Sequence, residues 1–69
     1  MRIQQFREII EELGRASRAL GYCEALYSGR DYLDMTADEH ERFAKARDRV
    51  VMAHIAFNDA MDQMFAHSV

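Results

Sequence analysis

Phe6, Ile9, Leu13, Ala16, Leu20, Cys23 and Tyr27 follow one another at intervals of 3, 4, 3, 4, 3 and 4 residues. An apolar residue every 3.5 positions on average is a heptad seam, which only a helix packed along one stripe can use. Phe43, Ala46, Val50, Ala53, Phe57, Ala60 and Met64 repeat the same spacing without error. The chain contains no proline, so nothing stronger than glycine interrupts either seam. The first seam predicts a helix over about 2–28, ended by Gly29 where a left-handed residue belongs. Gly14 and Gly21 lie inside it and cost roughly 1 kcal/mol each relative to alanine, so a bend or fraying is expected there. The aperiodic stretch 29–35, with Asp31 and Asp34, is the turn. Thr36 and Glu39 form a capping-box pair, and Asp38 and Glu39 suit the positive end of a helix dipole, so a second helix runs over about 36–66. The expected fold is all-α, a single domain over 1–69 in which two helices form an antiparallel hairpin.

Two helices are not enough to cover what this sequence offers. A chain of 69 residues buries only about 60% of its unfolded surface, and chains this small usually rely on disulfides, a metal or a second subunit. The single cysteine excludes an internal disulfide. Val51, Met52, Ile55 and Ala56 fall outside the second seam and make the middle of that helix apolar on all sides; Ala19, Tyr22 and Leu26 likewise fall outside the first seam and give that helix a second apolar face. The economical answer is a homodimer in which two hairpins form a four-helix bundle, with Val51, Met52, Ile55, Ala56 and Phe57 as the expected dimer interface. The longest nearly apolar run, Val50 to Phe57, carries His54 and is far short of the roughly 20 residues a membrane helix needs. The N-terminal segment turns charged again at Arg7 and Glu8, before any signal-peptide core forms. No membrane contact and a cytoplasmic location are expected, with which a free thiol agrees.

The second seam is patterned by size: Ala46, Ala53 and Ala60 alternate with Phe43, Val50, Phe57 and Met64. Alternating small and large layers let helices approach and interlock. In this layer pattern and hairpin plan the chain resembles the plasmid RNA-binding Rop family, homodimers of helical hairpins of about this length. That family's basic, aromatic RNA-binding face has no residue-by-residue match here. In size, arginine-rich acidic composition and architecture the chain also looks like the host-regulator inhibitors of bacteriophages, among them the quorum-sensing anti-activators of Pseudomonas phages. The second resemblance implies a phage protein that binds and inhibits a host regulator such as a transcription factor.

Chemistry is hard to place on these residues. A di-metal carboxylate bundle needs Glu-x-x-His pairs, and the residues three before His40, His54 and His67 are Ala37, Val51 and Met64. His54 lies next to the seam and reads as a partly buried structural histidine, while His40 and His67 read as surface residues of the first and last turns. Cys23 is a seam residue, which favours a core thiol over a nucleophile; in a symmetric dimer it could face its mate. Glu11 and Glu12 point about 100° apart and read as a solvated face. With no Gly-rich phosphate loop, no HExxH and no serine elbow, the expectation is a protein that is not an enzyme and has no catalytic, cofactor-binding or metal residues.

Charge comes in blocks. Asp31 to Glu41 holds five acids and no base, and Arg42 to Arg49 holds four bases and one acid. Arg42, Lys45 and Arg49 could line a phosphate groove, with Arg30 nearby. Pairing along the helix, as in Glu41 to Lys45, is the simpler use, because the adjacent acidic turn and a net charge of −3 oppose a nucleic-acid backbone. What remains is recognition of another protein. Arg15, Arg18, Tyr22 and Leu26 on the first helix, with Tyr32, Leu33 and Met35 at the turn, are of the types enriched at binding hot spots and form the candidate partner-binding set. Flanked by Asp31 and Asp34, they suit a target groove with a basic rim. The expected function is binding and inhibiting or sequestering a regulatory protein; the alternatives are a Rop-like nucleic-acid-binding homodimer and a structural subunit of a larger assembly.

Overall fold

A computed structural model describes residues 2–66, the side chain of Tyr32 excepted. Two helices, α1 (Ile3–Leu26) and α2 (Ala37–Ala66), are joined by a connection that contains a 3₁₀ turn at Tyr32–Asp34; there are no strands among the described residues. The helix α1 begins after Arg2, whose backbone N–H donates to the Gln5 side-chain oxygen at 3.2 Å, and it is continuous through Gly14 and Gly21. It ends slightly short of the seam's last residue: Tyr27 closes the final turn onto Cys23, and Gly29 takes φ +81°, the left-handed conformation that makes glycine the natural stop.

The connection is held by its own polar groups. Leu33 N–H donates to the Asp31 carboxylate at 3.2 Å and Asp34 N–H to the Asp31 carbonyl at 2.9 Å. Arg30 reaches across to the Glu39 carboxylate and also donates to the Asp34 carbonyl at 3.4 Å. The capping box at the start of α2 is formed in both directions, with Glu39 N–H donating to the Thr36 hydroxyl at 3.1 Å and Thr36 N–H to Glu39 at 2.9 Å.

The seams meet antiparallel. Near the open end the Phe6 and Phe57 rings stack with centroids 6.1 Å apart, and near the turn Tyr27 and Phe43 tilt against each other at 6.3 Å. Between them, Arg49 grips Glu12. Among the described residues the buried ones are small, Ala16, Ala53 and Ala60, and the larger seam residues Phe6, Ile9, Leu13, Leu20, Phe43, Val50 and Phe57 are half-buried around them. An Ala layer lets backbones approach, but it leaves each large side chain covered on only one side. The hairpin is accordingly long and thin, 52 × 17 × 16 Å, with a radius of gyration of 15.7 Å against about 11 Å for a globule of this length.

Candidate functional site

Each helix has a flank on either side of its seam, and the two flanks of the hairpin differ in chemistry. One is made by Gln5, Glu12, Ala19 and Leu26 of α1 with Arg42, Arg49, Ala56 and Gln63 of α2. Its centre is the ion pair in which the Arg49 guanidinium donates twice to the Glu12 carboxylate, at 2.7 and 3.0 Å. The Arg49 hydrogen bond is the main reason the Glu12 carboxyl is held below its ordinary value of 4.5, and Glu12 in turn holds Arg49 more firmly protonated. Beside this pair an open groove of about 470 Å³ runs toward the open end, floored by Ile9 and Ala53 and edged by Gln5, Glu8, Ala56 and Gln63.

The opposite flank is sparsely charged, with Arg7 toward the open end and Glu24 and Arg47 toward the turn. Its other residues are Ile3, Ile10, Gly14, Ser17 and Gly21 on α1 and Val51, His54, Asn58 and Met61 on α2. Ile3, Ile10 and Val51 are exposed there. Toward the turn it becomes a hollow of about 190 Å³ lined by Met35, His40, Phe43, Ala44 and Arg47, in which the Arg47 guanidinium sits 5.9 Å from the Phe43 ring centre.

The candidate partner-binding residues do not form one patch. Tyr22 and Leu26, one turn apart on α1, are exposed, and Leu33 stands 85% exposed in the turn. Arg15 is 3.7 Å from Glu12 and also exposed, as is Arg18. Met35 is half-buried in the hollow of the sparsely charged flank, so it belongs to a different side from Leu26. Tyr32 lies in the 3₁₀ turn, and its side chain is outside the described residues.

The residues expected at a dimer interface are also divided. Val51 lies on the sparsely charged flank, Ala56 edges the polar groove, and Met52 and Ile55 are exposed on the back of α2. Phe57 is spent within the hairpin, stacked on Phe6. His54 is exposed, although its place beside the seam predicts partial burial: such a position is covered only when something packs on that side, and a lone hairpin packs on one stripe only. Cys23 is half-buried with a free thiol, and His67 lies outside the described residues.

The basic residues considered for phosphate contact are mostly engaged. Arg49 is held by Glu12, Arg30 by Glu39, and Lys45 by Glu41 at 3.2 Å. Sequence reasoning missed the Glu12–Arg49 pair, which joins residues 37 apart; both lie on the same flank of their seams, the one signal that could have found it. Among the described residues no three His, Cys, Asp or Glu side chains are grouped to hold a metal ion, and no helix is long and apolar enough to cross a membrane. No family model matches this chain, and neither a curated protein nor a solved structure does.

Proposed function

We propose that the chain is a homodimer-forming helical hairpin that acts by binding another protein, occluding or sequestering it, with no chemistry of its own. The observation that carries this reading is the exposure of Tyr22, Leu26 and Leu33 at the turn end of the hairpin. Large apolar and aromatic side chains left in water cost solvation free energy and are retained where a partner covers them. The turn supplies Asp31 and Asp34 on either side of Leu33, so the matching surface is an apolar groove rimmed by Lys or Arg on a regulatory protein. Carboxylate pairing of Arg30, Lys45 and Arg49 weighs against the nucleic-acid alternative, because a phosphate would have to displace an intramolecular partner at each of them.

The test is affinity capture from a lysate with nuclease present, at two salt concentrations, with wild type and with a Leu26→Asp/Leu33→Asp variant. The expected result is one stoichiometric protein held by wild type and lost by the variant. Recovery of nucleic acid that disappears with added salt, or identical capture by both chains, overturns the proposal.

A further inference from the structure

The hairpin leaves more surface in water than a self-sufficient protein of its mass does. It exposes 5481 Å², whereas a compact monomer of 8.1 kDa exposes about 4,500 Å². The excess of about 1,000 Å² is close to the roughly 800 Å² that each partner contributes to a standard interface. That area has to be found on a flank with few charges to desolvate: Glu8, Arg15, Lys45 and Asp59 border the Glu12–Arg49 side besides Glu12, Arg42 and Arg49 themselves, whereas the opposite side, counted equally wide, carries Arg7, Glu24 and Arg47 alone.

The sparsely charged flank is also shaped to receive itself. Its half near the open end is bulky, with Ile3 and Ile10 on α1 and Val51, His54 and Met61 on α2. Its half near the turn is recessed, with Gly14, Ser17 and Gly21 on α1 and the hollow of about 190 Å³ lined by His40, Ala44 and Arg47 on α2. The two glycines have no explanation inside the hairpin. A methyl group on Gly21 would meet nothing within 4 Å, and one on Gly14 would touch only the flexible end of Arg18, at 3.6 Å. Alanine would therefore fit both positions and favour the helix, so packing within the protomer does not require glycine at either.

Resting on the homodimer reading above, we infer that a second copy of this chain packs end for end on the flank formed by Ile3, Ile10, Gly14, Gly21, Val51 and Met61, about a two-fold axis crossing α1 between Ile10 and Gly14. Turning the second copy end for end is what brings bulk onto recess: Ile10 of each copy stands level with Gly14 of the other, Ile3 with Gly21, and Met61 faces the hollow beside His40. Arg7 of each copy then stands level with the small, polar Ser17 of the other, so the one charge in the bulky half meets a hydroxyl and no second charge. A two-fold makes every such contact twice, so one complementary pair of halves suffices for a closed dimer. The arrangement is an antiparallel four-helix bundle that leaves Tyr22, Leu26, Met52 and Ile55 outside the contact.

The experiment is sedimentation equilibrium of wild type, Gly14→Ala, Gly21→Leu and Ile55→Asp, with helicity followed by circular dichroism. Wild type is expected at twice 8.1 kDa. Gly21→Leu is expected to remain helical and become monomeric, and Gly14→Ala to raise the dimer Kd about tenfold or more, despite its better helix propensity. Ile55→Asp is expected to stay dimeric. A wild-type dimer that Gly14→Ala and Gly21→Leu leave intact, or that Ile55→Asp dissociates, overturns this face while sparing the homodimer reading. A wild-type chain that is monomeric at every concentration overturns both.

Discussion

Replacing Ala16 with leucine tests whether the small residues set the distance between α1 and α2. Ala16 is fully buried at the middle of α1, with 0% of its surface accessible. Leucine adds three heavy atoms, and they have nowhere to go without prying the helices apart or forcing Leu13 and Leu20 off their rotamers. Overpacking of this kind costs about 1–3 kcal/mol net of the apolar gain. In a domain of this size each kcal/mol corresponds to about 4–8 °C in midpoint, so Ala16→Leu should melt at least several degrees lower. The assay is thermal and urea unfolding at one fixed protomer concentration, since association would make the midpoint concentration-dependent. Ala25→Leu is the control: Ala25 is exposed, and its replacement should change stability by less than about 0.5 kcal/mol. If Ala16→Leu is as stable as wild type while Ala25→Leu behaves as expected, the alanine layer does not set the helix separation, and the half-buried residues around it must do so instead.

Two further effects follow from the polar contacts. Glu12 is held below its ordinary value of 4.5 chiefly by the Arg49 hydrogen bond, and Glu39 chiefly by the Thr36 backbone N–H, with the Thr36 hydroxyl and Arg30 adding to it. A carboxyl with a lowered folded-state pKa binds fewer protons folded than unfolded, so its stabilisation is complete above about pH 4.5 and is lost as pH falls through the folded value. Urea titrations of wild type and Glu12→Gln should therefore differ at pH 7 and converge toward pH 3; a constant difference would contradict the assignment. Thr36→Ala removes the hydroxyl that accepts the Glu39 N–H and should cost about 1 kcal/mol, read as an earlier urea midpoint with an unchanged slope.

How much of the fold and site is legible in the sequence depends on the range of the interaction. The seams, the left-handed Gly29 and the Thr36–Glu39 box are local patterns, and a residue's neighbours three, four or seven positions away determine them; each is found where the spacing places it. The Glu12–Arg49 pair is not local: for the block of bases between Arg42 and Arg49 the spacing suggests pairing along the helix, as Lys45 does with Glu41, and only the hairpin's register puts Glu12 opposite Arg49. His54 shows the limit from the other side. A helical wheel places it beside the seam, but burial also needs something on that side of the hairpin, and one partner helix covers only one stripe. The same gap explains why Val51, Met52, Ile55 and Ala56 read as one interface in sequence and separate onto different sides in space. Periodicity says that a position is apolar and how far it lies from the seam, and it says nothing about which flank carries charge. On this hairpin that distinction rests on Glu12 and Arg49 occupying one flank while glycine, serine and isoleucine occupy most of α1's part of the other, so the surface available for association is set by side chains that the apolar pattern alone does not rank.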